Sequence, residues 1–146
     1  MISLKAASLA GYFILVLSLI SLVLEGSILG SGPLSIAVQL LAVLLMVWAR
    51  TTFGKRSFHA GADPTAGGLV TTGPYSLLRH PIYASILYFM WAGVLSQPSA
   101  IHLSLGCIGT IGVSIRIYAE ERLIVHEYPE YANYAARTKR IIPFIF

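Results

Sequence analysis

Two short segments hold most of the side chains able to do chemistry. The first is Gly73-Pro74-Tyr75 followed by Arg79-His80-Pro81-Ile82-Tyr83. The second is Arg116 with Glu120-Glu121. A guanidinium suits a carboxylate or phosphate. Imidazole can hydrogen-bond or carry a proton near neutral pH. A glutamate can take hydrogen bonds from an ammonium or a hydroxyl, or act as a base. Each residue also has a plainer reading. Arg79 alone is a topology signal, His80-Pro81 a loop-to-helix junction, and Glu120-Glu121 a solvated helix face. Their convergence would favour a site.

Other chemistries find little support. The single cysteine, Cys107, sits in an apolar run and allows neither an internal disulfide nor a two-cysteine metal site. No His-x-x-x-His spacing occurs, so no metal is expected. His59, His102 and His126 read as loop, headgroup and surface residues. There is no Gly-x-Ser-x-Gly elbow and no strand followed by a glycine-rich phosphate loop.

The elements that must position the two segments are apolar helices. Of 146 residues, 56% are hydrophobic and 11% charged, against about 25% charged in a soluble domain. Four apolar runs stand out: Ala6 to Leu24, Pro33 to Ala49, Ile82 to Leu95 and Ser99 to Ile115. About 18 helical residues span roughly 27 Å, close to the hydrocarbon thickness. The third run is short and needs an extra turn from its flanks. The first has the look of a signal peptide, but it is long and no Ala-x-Ala site follows. The expectation is an all-α polytopic membrane protein: one integral membrane domain over 1–146, four spans and a short C-terminal helix at Glu130–Arg137. Residues 1–50 form its N-terminal hairpin.

Charge placement orients the spans. With four of them, every Lys and Arg falls on one side: Lys5, Arg50, Lys55, Arg56, Arg79, Arg116, Arg122, Arg137, Lys139 and Arg140. The positive-inside rule then puts both termini and the long middle loop in the cytoplasm, as in a bacterial inner membrane. The net charge of +4 reads as attraction to anionic headgroups, not to nucleic acid. Only Ser96-Gln97-Pro98 separates spans three and four, so they are antiparallel neighbours. Their cytoplasmic ends meet, bringing Arg79, His80 and Tyr83 near Arg116, Glu120 and Glu121. Arg116, Glu120, Leu123 and Glu127 share a helix face, with Glu121 about 100° away. One acid can face the cluster while the other faces a neighbour or water.

This ordered set, continued by Tyr131-x-x-Tyr134 and Pro143, resembles the isoprenylcysteine carboxyl methyltransferases and the membrane phospholipid methyltransferases. The likeness covers roughly Phe53 to Phe146. It implies a pocket for S-adenosylmethionine within residues 51–146, formed by Gly73, Pro74, Tyr75, His80, Pro81 and Tyr83, with Glu120 or Glu121 from the far wall. Arg79, Arg116, Glu120 and Glu121 would be the catalytic set, acting on a lipophilic or lipid-anchored acceptor. Two departures stand out: Ala84 replaces a usual glycine, and Tyr128-Pro129 replaces a usual Phe-Gly. They bear on substrate fit more than on reaction type. The rival readings are a non-enzymatic membrane module and an NADPH-dependent sterol-reductase-like protein, which needs more spans.

Overall fold

The computed structural model describes residues 2–54 and 68–145. The part of the middle loop that carries Lys55, Arg56 and His59 lies outside the described residues. Helix α1 runs over Ile2–Leu24, α2 over Pro33–Phe53, α3 over Pro81–Ser96, α4 over Ala100–Glu127 and α5 over Tyr131–Arg137. A 3₁₀ turn at Gly73–Ser76 precedes α3. Among the described residues no strand forms beyond an isolated parallel bridge between Leu78 and Lys139. The protein is all-α. Three helices, α1, α2 and α4, are long and apolar enough to cross a membrane, and α3 is a shorter apolar helix of 16 residues.

Local signals explain the boundaries. Pro33 and Pro81 occupy the first turns of α2 and α3, where a missing N–H costs nothing. Ser99 caps α4, its hydroxyl accepting from the His102 amide at 3.1 Å. The expected start of the last helix shifts by one residue: Pro129 and Glu130 form a turn and α5 opens at Tyr131.

The helices pair in an order that chain sequence does not suggest. α1 packs along α4, and α2 along α3. The contacts Ser8–Arg116 and Ser18–Leu105 make the first pair antiparallel. Ser31–Ser96 and Gln39–Phe89 do the same for the second. Each helix of the expected 1–50 hairpin thus takes its main partner from the second half. Backbones of α1 and α4 nearly touch: a Cβ added at Gly112 would lie 2.8 Å from the Gly11 carbonyl oxygen and 2.9 Å from the Leu15 nitrogen. Small residues permit this approach, which is how helices gain packing where lipid removes the hydrophobic drive. Leu15 and Leu22 of α1, Met90 and Val94 of α3, and Val113 and Ile117 of α4 form a common core. Outward side chains such as Phe13, Leu17, Leu40, Leu44 and Ile111 are exposed and apolar, as a lipid-facing surface requires.

At the end opposite the cluster, Gln39 replaces absent backbone partners. It accepts from the Gly30 amide at 2.9 Å and donates to the Ile28 and Phe89 carbonyls at 2.8 and 3.1 Å. That knits the α1–α2 connection to α3. All described Lys and Arg side chains belong to the other end, where α1 begins, α2 ends, α3 begins and α4 ends.

Candidate functional site

The start of α3 and the end of α4 meet as the hairpin argument expects. Tyr83, one turn into α3, donates its hydroxyl hydrogen to Glu120 Oε1. Arg116 lies one turn before Glu120 and completes the triangle: its Nε donates to the Tyr83 oxygen at 2.7 Å and its Nη2 to Glu120 Oε1 at 3.0 Å. The guanidinium is nearly sealed from solvent. Burying such a charge is costly unless it is paired and hydrogen-bonded, and here it is both.

Glu121 occupies a second, adjacent hub. Arg79 Nε donates to its Oε1 at 2.9 Å, and Arg140 donates to its Oε2 through Nε at 3.1 Å and Nη2 at 3.0 Å. His80, buried at the N-cap of α3, joins the two hubs. Its Nε2 lies 3.3 Å from Glu121 Oε1 and its Nδ1 4.0 Å from Glu120 Oε2. The ring stacks on Tyr83 with centroids 5.8 Å apart. Neither acid faces open water; each takes its own partners.

Arg79 has a further task. Its Nη1 donates to the Ala135 and Thr138 carbonyls at 2.7 and 2.6 Å, so one guanidinium ties the C-terminal segment to Glu121. Backbone bonds run alongside: Arg79 N–H to Lys139 O at 2.6 Å, His80 N–H to Arg140 O at 3.0 Å and Lys139 N–H to Leu77 O at 3.1 Å. The Tyr88 hydroxyl donates to the Ile141 carbonyl. This strap closes the end of the bundle.

The residues before α3 lie behind the hubs. Gly73 adopts φ +57, and a Cβ there would lie 2.8 Å from Thr52 Oγ1, so this turn sits tightly on α2. Pro74 and Tyr75 are buried, and Tyr75 packs on Phe53 at 5.5 Å. Tyr134 donates to the Tyr75 carbonyl at 2.7 Å. Pro81 is fully buried in the first turn of α3. The structure thus brings His80, Tyr83, Arg116, Glu120, Glu121 and Arg79 together, and places Gly73, Pro74 and Tyr75 in a layer packed against α2 and α5. Burial raises the pKa of the Tyr75, Tyr131 and Tyr134 phenols, Tyr134 to about 12. A neighbouring charge on Glu121 adds to the effect at Tyr131.

Some participants were missed. Ser8 accepts from Arg116 Nη1 through its carbonyl at 3.3 Å, and the Tyr12 ring lies 5.3 Å from the Arg116 guanidinium carbon. Both come from α1. Their signal was present: Ser8, Gly11, Leu15, Ser18 and Leu22 repeat at helical spacing and are all buried. Arg140 was visible only as a topology charge. Tyr131, also missed, is buried beside Glu121.

Comparison with known proteins adds an independent line. The chain is 36% identical over 76 residues to the cobalt-zinc-cadmium resistance protein CzcN of Cupriavidus metallidurans, covering 51% of this chain and 35% of that protein. It is 32% identical over 76 residues to the nickel-cobalt-cadmium resistance protein NccN of Alcaligenes xylosoxydans xylosoxydans, covering 51% and 36%. The matches thus span little more than a third of either relative's length. No solved structure matches the chain. The phospholipid methyltransferase family profile matches residues 27–131, from the α1–α2 connection through Arg79, His80, Tyr83, Arg116, Glu120 and Glu121 to the first residue of α5. The chain therefore belongs to the phospholipid methyltransferase family, whose members are membrane methyltransferases.

Proposed function

We propose that this chain transfers a methyl group from S-adenosylmethionine to a lipophilic or membrane-embedded acceptor, a prenylcysteine-like carboxylate or a lipid amine. The observation that carries the reading is the convergence of His80 and Tyr83 with Glu120 at one end of an apolar bundle. The donor and acceptor groups there suit the cofactor. Glu120 Oε2 has acceptor capacity for an ammonium or ribose hydroxyls. The buried Tyr131 phenol lies beside Glu121. His80 and the aromatic face of Tyr83 complete a mixed polar and aromatic lining.

When bound, S-adenosylmethionine supplies a sulfonium methyl that is open to in-line displacement. The protein's own residues orient and exclude water. Glu120 is the better candidate of the two acids, because Glu121 already accepts from Arg79 and Arg140. Glu120 would hold the cofactor or take a proton from an amine acceptor. Arg116 fixes that carboxylate, and its role is to orient Glu120. Arg79 acts through the strap it holds, and Glu121 anchors the strap. Gly73, Pro74, Tyr75 and Pro81 shape the wall behind His80. Residues 51–146 would form the cofactor-binding core, with α1 lending Ser8 and Tyr12 to Arg116. Segregation of Lys and Arg to one end supports a cytoplasmic site with both termini inside.

The relatives' names attach those proteins to metal resistance. Here three guanidiniums already hydrogen-bond the two carboxylates, which opposes a cation at the same oxygens. A membrane assay with labelled cofactor tests the proposal. Glu120→Gln and Arg79→Ala should abolish turnover while the protein still inserts. Undiminished turnover in both would remove the assignment.

A further inference from the structure

A glutamate's terminal torsion is broad, so its partners decide which oxygen points where. At Glu120, Tyr83 and Arg116 both donate to Oε1, and Oε2 is left turned toward His80 Nδ1 at 4.0 Å. That orientation lasts only while the Arg116 guanidinium stays in place. Its own helix holds it weakly, because Arg116 precedes Glu120 by one turn, the less favourable order for such an ion pair. Helix α1 supplies two further contacts. The Ser8 carbonyl accepts from Arg116 Nη1 at 3.3 Å, and the Tyr12 ring, four residues on, lies 5.3 Å from the guanidinium carbon. The Tyr83 ring of α3 lies at 5.6 Å, so rings from two helices are within cation–π range. Gly11 clears the path, since a Cβ there would lie 3.1 Å from Arg116 Cγ. Arg116 is only 4% exposed, and cation–π contacts are strongest where the cation is desolvated. No family pattern gives Tyr12 a role, because the match begins at residue 27.

We propose that Tyr12 is a positioning residue: its ring holds the Arg116 guanidinium against Glu120 and so sets the orientation of that carboxylate toward His80. The inference rests on the reading that Glu120 serves the cofactor. Tyr83 is fixed to both partners through its hydroxyl, so its ring moves with the triangle it belongs to. Tyr12 stands outside the triangle and braces it from a different helix. Without that ring the guanidinium is free to turn on its flexible stem, and Glu120 loses the donor that distinguishes its two oxygens. The contact uses the face of the ring, not the phenol. Phenylalanine therefore serves at position 12, and leucine, similar in apolar character but without a π face, does not.

The test uses the full chain in detergent, titrated calorimetrically with S-adenosylmethionine, with the Tm of the unliganded protein measured in parallel. Tyr12→Leu should weaken binding about tenfold, the effect of one desolvated cation–π contact, and Tyr12→Phe should stay within about twofold of the unaltered chain. The Tm supplies a cycle that needs no ligand. Tyr12→Leu should lower the Tm when Arg116 is present and hardly change it in an Arg116→Gln background, where no cation remains for the ring to hold. Unchanged affinity in Tyr12→Leu, or equal losses in Tyr12→Leu and Tyr12→Phe, would overturn the proposal. So would a Tm loss as large in the Arg116→Gln background as in its absence, since Tyr12 would then act by packing alone. An unaltered chain that binds no S-adenosylmethionine would remove the methyl-transfer reading and, with it, the role of Tyr12 toward the cofactor, even where the Tm cycle shows the brace on Arg116.

Discussion

Replacing Arg79 by lysine, beside replacement by alanine, separates two roles for this residue. If Arg79 served only as a positive charge near the acceptor, lysine would preserve most of its effect. The geometry says otherwise. One guanidinium donates to Glu121 through Nε and to the Ala135 and Thr138 carbonyls through Nη1. These directions come from a planar fork that an ammonium does not reproduce. Hydrogen bonds involving a charged group contribute about 1.5–3 kcal/mol each. Three are lost in Arg79→Ala, but the parallel backbone bonds of Leu77, Arg79 and His80 remain and water can enter. A discounted figure is about 3 kcal/mol, or roughly a hundredfold in the opening equilibrium of the strap. The global fold should survive, because α1–α4 and α2–α3 packing does not involve Arg79. Hydrogen exchange followed by mass spectrometry reads this directly. Peptides covering 131–141 should exchange roughly a hundredfold faster in Arg79→Ala, and nearly as fast in Arg79→Lys. Peptides within α1 and α4 should be unaffected. Unchanged protection at 131–141 in Arg79→Ala would refute the clasp.

Gly112→Ala should drive α1 from α4, because the new methyl meets backbone atoms at 2.8 and 2.9 Å that have nowhere to go. The expected cost is about 1–3 kcal/mol, seen as a lower Tm in detergent. Gly106→Ala should cost less, since its methyl meets only the Trp91 ring at 3.3 Å. Alkaline pH should loosen the C-terminal layer. An ordinary tyrosine titrates near 10. Burial pushes Tyr134 up to about 12, so its contribution to stability is complete below pH 10 and is lost as pH rises toward 12. Phenolate absorbance and thermal unfolding measured together check this. Normal titration of every tyrosine with the fold intact would contradict it.

The site was legible where a short connection forced neighbours together. The three residues between α3 and α4 leave no freedom, so His80 and Tyr83 had to meet Glu120 and Glu121. Composition likewise disclosed the apolar helices and the segregation of charge to one end. The division of labour between the two acids was not legible. Helical period put Glu121 about 100° from Glu120, but it could not show that Arg140, nineteen positions further on, would return to it. That return depends on the strap, and the strap depends on Arg79 reaching carbonyls in α5 and beyond. Long-range contacts through backbone acceptors leave no pattern in side-chain types.

The pairing of α1 with α4 was hidden for a different reason. Consecutive helices joined by a short connection usually pack together, which favoured a hairpin over residues 1–50. In lipid, apolar surface alone does not choose a partner, because the acyl chains match it equally well. Close backbone approach chooses instead, and that is available only where small residues face small residues. Gly11 on α1 meets Gly112 on α4, and Ser18 meets Gly109 and the Leu105 carbonyl. The small-residue stripe, not the hydropathy of the runs, therefore decides which helix stands beside Arg116. By bringing Ser8 and Tyr12 to that buried guanidinium, α1 becomes a structural part of the site although the family match begins only at residue 27.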